Sequence, residues 1–268
     1  GNLELANKGF QGIEKLILKC YISDMVHHYK NKRAFTLAEV LITLGIIGVV
    51  AAMTLPSVIN KYKIKQLETA FKRSNSLITN ALNLTAEEFG YNNFKELNSI
   101  CGNISKNDSE NISNCMSQNN KLFKDINSYF LSRFKTAETL ATIDILRSDI
   151  KLKDYSGNDS FGYTILYGLN VSPAVVDGGG LHILSDISSV DFYSHEPSNG
   201  ISISFDTNGP NRGPNRYGYD IFLYNTGTWG QYCSKNLSGK YNGRACYKYA
   251  LKDVNPDDNT KGYWNSLY

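Results

Sequence analysis

The chain has 268 residues, enough for one large domain with a segment outside it or for two small domains. Charged residues make up 20% and aromatic residues 12% of the chain, a composition that excludes wholesale disorder because it can form a core. Six of the 28 basic residues and three of the 25 acidic residues lie within residues 1–34. The rest of the chain has 22 basic and 22 acidic residues, so its net charge is zero. A neutral domain gives no reason to expect nucleic acid as a direct ligand.

An uncharged stretch of 21 residues, 40–60, follows the basic residues Lys30, Lys32 and Arg33. A helix of about 20 apolar residues spans the hydrocarbon core of a bilayer. The basic residues before it should stay in the cytoplasm, so the chain after residue 60 is expected outside. A buried core helix rarely lacks charges for so long, and the apolar region of a secretory signal peptide is shorter. Hydropathy alone leaves a plain membrane anchor open.

The entry to this stretch, KNKRAFTLAEVLITLGIIGVVAAMTLP, resembles the prepilin cleavage and methylation signature of type IV pilins and type II secretion pseudopilins. The residues that match in type and spacing are Phe35, Thr36, Leu37 and Glu39. Ala34 stands where most members have glycine, and alanine is also small. The resemblance implies a leader of residues 1–34, cleavage by a prepilin peptidase between Ala34 and Phe35, and methylation of the Phe35 nitrogen.

Glu39 is the single carboxylate at the edge of this apolar helix, and such a group usually has a partner. The sequence offers none within reach in the same chain. The resemblance supplies one, because in the family this glutamate is thought to meet the amino terminus of a neighbouring subunit, here on Phe35. A glutamate that reaches out to the membrane interface is the alternative.

Gly45, Gly48 and Pro56 fall where such pilins commonly have residues that loosen the helix, and we expect them to take part in assembly. Glycine and proline are also frequent in ordinary membrane helices. Pro56 lacks a backbone N–H, which predicts a kink or local melting.

The helix is predicted to continue to about residue 89 and to stop at Gly90, with apolar residues recurring every three or four positions after residue 66. A short second helix is predicted at 119–134, and strands at 162–169, 180–184, 200–206 and 219–224. A helix followed by consecutive strands predicts an α+β fold, with an antiparallel sheet packed on the helix. This is also the pilin architecture. The predicted organisation is a leader (1–34), a transmembrane and filament-core helix (35–60) and an extracytoplasmic globular domain (61–268).

The segment FDTNGPNRGPNRYGYDIF, residues 205–222, resembles the turn between late strands in many pseudopilin-like proteins. Oxygens of Asp206, Asn208 and Asp220 are candidate ligands for a hard cation such as calcium. A structured turn in which these side chains cap backbone groups is the alternative. Arg212 and Arg216 would oppose a cation if they pointed inward.

Five cysteines are present, and Cys20 lies in the predicted leader. The other four form two pairs close in sequence, Cys101 with Cys115 and Cys233 with Cys246, and disulfides within each pair are predicted from that proximity. Free buried thiols are the alternative.

The resemblance therefore implies a structural subunit rather than an enzyme, with no cofactor except the candidate calcium ion. The partners that it implies are copies of the chain or related pilins, the prepilin peptidase and an assembly platform in the inner membrane. It is expected in the bacterial cytoplasmic membrane, with its C-terminal side outside, and then in a filament. The late-strand turn favours type II secretion over adhesion, motility or DNA uptake. A solitary anchored binding protein and a tethered hydrolase are the competing classes.

Overall fold

The computed structural model describes residues 36–97, 109–134, 150–162, 172–176, 181–186, 202–225 and 232–268. The chain forms two compact units, Gly1–Ser57 and Val58–Tyr268. The described helices are α1 (Leu37–Glu88), α2 (Phe94–Leu97), α3 (Ser109–Gln118), α4 (Asn120–Ser132) and α5 (Cys246–Lys252), with a final 3₁₀ turn at Trp264–Ser266. The described strands are β1 (Lys151–Lys153), β2 (Asp159–Gly162), β3 (Ser172–Val176), β4 (Leu181–Asp186), β5 (Ser202–Asp206) and β6 (Ile221–Asn225).

Helix α1 ends as the sequence predicts, at a glycine that takes the left-handed conformation. Gly90 has a φ of 79°. Its N–H donates to the carbonyl of Glu87 at 3.1 Å, and the N–H of Tyr91 donates to that of Ala86 at 2.8 Å. This pair of bonds is the Schellman motif, which satisfies carbonyls that the end of a helix leaves unpaired.

Pro56 does not interrupt α1, although the sequence predicts a kink or local melting there. The helix continues through Pro56 to Glu88. Proline removes one hydrogen bond, but the carbonyls and N–H groups of neighbouring turns still pair, so local melting is not observed.

Two antiparallel sheets are formed by the strands between α4 and α5. Strands β1 and β2 form a small pair, and β3, β4, β5 and β6 form a four-stranded meander in sequence order. In the larger sheet Phe205 of β5 lies opposite Phe222 of β6, and Ile183 of β4 lies opposite Phe205. The predicted α+β class, with a long N-terminal helix and an antiparallel sheet, is therefore confirmed.

The core of the second unit lies between α1, the meander and the C-terminal segment. Phe71 of α1 is 1% exposed, and its ring centroid lies 4.5 Å from that of Phe222, 5.3 Å from Trp264 and 5.6 Å from Tyr247. The buried residues of α1 recur at helical spacing, which matches the predicted stripe: Leu67, Phe71, Ser74, Ile78, Ala81, Leu82, Thr85 and Ala86.

Candidate functional site

The first turn of α1 carries a capping box built from Thr36 and Glu39. The backbone N–H of Thr36 donates to Glu39 Oε2 at 2.8 Å, and the Thr36 hydroxyl donates to the same oxygen at 2.9 Å. In return the N–H of Glu39 donates to Thr36 Oγ1 at 3.2 Å. A threonine followed three residues later by glutamate at a helix start makes these bonds because the first N–H groups have no partner within the helix.

The expectation that Glu39 has no partner within reach in its own chain is therefore wrong. The sequence contains the signal for this partner, because Thr-Leu-Ala-Glu at residues 36–39 has the spacing of a capping box. The capping box holds the carboxylate beside the first backbone amides of the helix. Ala34 and Phe35, the residues of the predicted cut, lie outside the described residues.

The apolar part of α1 is uncovered on all sides within the described chain. Its large hydrophobic side chains from Leu37 to Ile59 are between 41% and 78% exposed. The hydroxyls of Thr43 and Thr54 donate to the carbonyls of Glu39 and Val50 at 2.9 Å, so these polar groups need no water. By length and composition α1 is able to cross a membrane.

Gly45 and Gly48 lie in this apolar part with open space around them. A methyl group placed on either glycine would meet nothing within 4 Å. Neither glycine is therefore required by packing within the described part of this chain, and both leave a shallow place on the helix surface where another helix can approach closely.

Residues 29–55 match the family model of the prokaryotic N-terminal methylation motif. The chain carries the hallmark of type IV pilin-like proteins. No curated protein and no solved structure gives a significant match. The motif covers the start of α1 and the residues before it, so the similarity is confined to the N-terminal part of the chain.

The loop between β5 and β6, residues 207–220, has a buried carboxylate at each end, Asp206 just before it and Asp220 as its last residue. Asp206 Oδ1 accepts the N–H groups of Asn208 at 3.0 Å and Gly209 at 2.8 Å. Asp220 accepts those of Asn215 and Arg216, both at 2.8 Å. Both carboxylates therefore cap loop backbone, as the alternative interpretation of this loop predicts.

Burial, followed by the nearby charge of Asp206, raises the pKa of Asp220 to about 8. The two carboxyl groups are thus close enough to repel each other in the folded chain, and a proton or a cation would relieve that repulsion.

The same loop holds side-chain amides whose oxygens lack partners. The amide groups of Asn208 and Asn215 donate to the carbonyls of Gly213 and Pro210, both at 2.9 Å. Their Oδ1 atoms are buried and have no hydrogen-bond partner among the described residues. The described residues contain no group of three His, Cys, Asp or Glu side chains that could hold a metal. Calcium binding by Asp206, Asn208 and Asp220 stays a prediction.

Of the two arginines of the loop, Arg216 has a guanidinium that binds groups other than the three candidate cation ligands. Its guanidinium donates to the carbonyls of Asp154 at 3.2 Å and Tyr155 at 2.6 Å, and it lies 4.0 Å from the centre of the Tyr219 ring. Arg212 is exposed. Sequence reasoning could not place either side chain, because residues 154–155 reach the loop only in the folded domain.

A disulfide joins Cys233 to Cys246, as the sequence predicts. It ties the segment after β6 to the first residue of α5. Cys115 is also disulfide-bonded, and Cys101 lies outside the described residues. The pairing of Cys115 with Cys101 stays a prediction.

Proposed function

We propose that this chain is the precursor of a structural subunit of a type IV pilus-like or type II secretion filament. A helix of residues 35–60 holds the precursor in the bacterial cytoplasmic membrane, with residues 61–268 outside. The observation that carries the proposal is a methylation motif at the start of an apolar helix whose side chains are exposed on every side. A solitary membrane anchor has no need of that motif.

The uncovered apolar helix needs a nonpolar environment both in the membrane and in the proposed filament. Lipid provides it in the membrane, and the same helices of other copies or related pilins provide it in a filament. Helices in such a bundle associate through close packing and paired polar groups. Gly45 and Gly48 suit this packing because they leave open space on the helix surface.

Glu39 takes its proposed role from the capping box. The box fixes the carboxylate at the first turn, and both Thr36 donors bind the same oxygen, Oε2. In the proposed filament, cleavage after Ala34 creates a positively charged amine on Phe35, and this amine of one subunit pairs with Glu39 of its neighbour. The pair neutralises two charges that would each be costly in an apolar bundle.

The disulfide between Cys233 and Cys246 supports a location outside the cytoplasm, because such bonds persist in oxidising compartments. We propose that the subunit reaches its filament through a prepilin peptidase and an inner-membrane assembly platform. The turn at residues 205–222 favours type II secretion among the possible filaments.

Mass spectrometry of the mature N-terminus, on protein isolated from the native cell, tests the processing step. The expected first residue is N-methylated Phe35. A mature chain that still carries Arg33 and Ala34 would overturn the proposal.

Replacing Glu39 with glutamine tests assembly. Glu39→Gln should still be cut after Ala34 but should no longer enter filaments, because the carboxylate that pairs with the neighbouring amine is lost. Glu87→Gln is the matched control, since Glu87 is an exposed glutamate near the other end of the same helix. Normal assembly of Glu39→Gln would favour the solitary binding protein instead.

A further inference from the structure

The three-residue pattern Asn-x-Ser/Thr, in which x is not proline, occurs seven times in the chain. It is the acceptor pattern for enzymes that attach sugar to an asparagine side chain, and it belongs in surface loops of exported proteins. In a chain rich in asparagine and serine the pattern alone does not identify a site, so the fold has to decide among the candidates. The asparagines are Asn83, Asn103, Asn107, Asn111, Asn158, Asn170 and Asn236.

Two of these patterns lie in helices, whose geometry separates the asparagine from the hydroxyl. Asn83 and Thr85 lie in α1, and side chains two positions apart on a helix point to different faces. The hydroxyl of Thr85 is in addition buried and donates to the carbonyl of Ala81 at 2.7 Å. The pattern that starts at Asn111 lies in α3 and has the same spacing. Neither pattern suits an enzyme that must reach both groups together.

The pattern at Asn158 is engaged by contacts within the fold. The side-chain amide of Asn158 donates to Asp154 Oδ2 at 3.4 Å, and its backbone N–H donates to Asp154 Oδ1 at 2.8 Å. The hydroxyl of Ser160 donates to the carbonyl of Lys240 at 2.7 Å. Both groups of this pattern are therefore used to hold the turn between β1 and β2. Three further asparagines lie outside the described residues: Asn103, Asn107 and Asn170.

Asn236 differs from the other described asparagines because both groups of its pattern are accessible. Asn236, Leu237 and Ser238 are all exposed and lie outside any helix or strand. The backbone N–H of Asn236 donates to Ser234 Oγ at 3.0 Å. Among the described residues nothing hydrogen-bonds to the side-chain amide of Asn236 or to the hydroxyl of Ser238. An enzyme can therefore reach the amide and the hydroxyl without unfolding the chain.

The fold holds the loop that carries Asn236 through its main chain. The disulfide between Cys233 and Cys246 closes the loop. Inside it, the carbonyl of Leu237 accepts a hydrogen bond from the side-chain amide of the buried Asn242 at 2.8 Å. These contacts leave out the side chains of Asn236 and Ser238, so a group added to Asn236 displaces none of them.

We propose that Asn236 is a glycosylation site. The substrate is a sugar whose C1 atom carries a diphosphate leaving group. The amide nitrogen of Asn236 forms a bond to C1 while the bond between C1 and the diphosphate oxygen breaks, and one amide proton passes to a base of the transferase. The diphosphate leaves with its carrier, which is a polyprenyl lipid or a nucleoside. This modification goes beyond the proposed function and needs neither cleavage after Ala34 nor assembly.

Mass spectrometry of tryptic peptides, on protein isolated from the native cell, tests the proposal. Trypsin cuts after Lys235 and Lys240, so the site lies in the short peptide 236–240. This peptide should carry the added mass of one or more sugar residues, and fragmentation should place that mass on Asn236. A peptide found only in its unmodified form would overturn the proposal.

Variants expressed in the same cell separate enzymatic transfer from other additions. Asn236→Gln and Ser238→Ala should each remove the sugar, whereas Ser238→Thr should keep it because threonine retains the hydroxyl. Asn83→Gln is the matched control, since it changes an exposed asparagine of the same pattern and should leave the sugar in place. Sugar that persists in Ser238→Ala would contradict recognition of the pattern and overturn the proposal.

A further arm distinguishes the two carriers. Blocking the synthesis of polyprenyl-linked sugars in the cell should remove the added mass if the donor is lipid-linked, and should leave it if the donor is a nucleotide sugar.

The thermal midpoint of unmodified protein separates modification from folding. Asn236→Gln should keep the midpoint of the wild type, because no described residue bonds to the side chain that it replaces. A large fall in midpoint would show that the fold uses Asn236 and would contradict its role as a free acceptor. None of these measurements concerns the N-terminus of the mature chain, so the filament proposal is tested separately.

Discussion

Thr36 and Glu39 cap the first turn of α1 reciprocally. The side chain of each residue accepts a hydrogen bond from the backbone N–H of the other. The box fixes where the helix begins. It also places a carboxylate one turn from the predicted cut before any second subunit is present. A single pair of residues therefore serves the fold of the precursor and, in our proposal, the contact in the filament.

Thr36→Ala is expected to fray the first turn of α1. The loss of a capping side chain costs about 1 kcal/mol, so the amides of residues 37–40 should exchange with solvent deuterium roughly fivefold faster in detergent-solubilised chain. Thr36→Ser keeps the hydroxyl and should restore slow exchange. Thr69→Ala removes an exposed threonine further along α1 and serves as the control. Unchanged exchange in Thr36→Ala would mean that the box does not hold the turn.

Asp220 predicts a dependence of stability on pH. Its pKa in the folded chain is raised to about 8 from the ordinary 3.8, so between these values the folded chain binds a proton that the unfolded chain does not. The free energy of unfolding should therefore fall as the pH rises from about 4 to 8, by at most about 1.4 kcal/mol per pH unit, and level off above.

Urea unfolding across this range measures the slope, which Asp220→Asn should flatten. The control is Asp258→Asn. Asp258 is hydrogen-bonded to Lys261 and Thr260, which lower its pKa to about 2, so its contribution lies below this range. An unchanged slope in Asp220→Asn would show that another group binds the proton.

At the scale of elements, the β5–β6 loop connects the last two strands of the four-stranded sheet. The loop has a buried carboxylate at each end. The side-chain amides of Asn208 and Asn215 donate hydrogen bonds to backbone carbonyls within the loop. Sequence reasoning identified Asp206, Asn208 and Asp220 as chemically notable. It missed Asn215, whose role depends on the carbonyl of Pro210 lying within reach across the loop.

Calcium is predicted to raise the thermal midpoint of the chain through this loop. A cation between Asp206 and Asp220 would relieve their repulsion, and the unpaired oxygens of Asn208 and Asn215 are suitable further ligands. The measurement compares chain treated with chelator before and after addition of calcium, with magnesium as the control. Asp220→Asn should lose the increase. Equal midpoints with and without calcium in the wild type would contradict the prediction.

The helices and strands differ in how well the sequence predicts them. The buried stripe of α1 and the end at Gly90 follow from spacing and from one glycine, and β5 shows clean alternation. Strand β3, Ser172–Val176, was missed because it contains Pro173 and no alternation. Helix α5 was missed because seven residues are too few for a helical period to appear.

The candidate sites differ in the same way. The N-terminal motif is local, so the sequence was enough to place Glu39 at the start of an apolar helix. The β5–β6 loop, by contrast, depends on residues far away in the chain, and only the folded domain shows that Arg216 meets the carbonyls of Asp154 and Tyr155. Neither spacing nor composition contains that information.

At the scale of the whole molecule, the disulfide between Cys233 and Cys246 secures the segment that completes the core. Its removal in the double variant Cys233→Ser, Cys246→Ser should lower the free energy of unfolding by about 3 kcal/mol, the value for a loop of this length. Urea unfolding monitored by tryptophan fluorescence measures the loss. Reduction of the wild type should lower stability by at least as much, because Cys115 is bonded too. An unaltered midpoint in the double variant would contradict the prediction.

The contact of Phe71 with Trp264 joins residues that lie 193 positions apart in the chain. Phe71 is made early, and its ring is fully covered only after residues 222, 247 and 264 have also been made. During that interval the unfinished chain exposes apolar surface, which favours aggregation. The time needed to complete the chain therefore affects the yield of folded protein, separately from the stability of the finished fold.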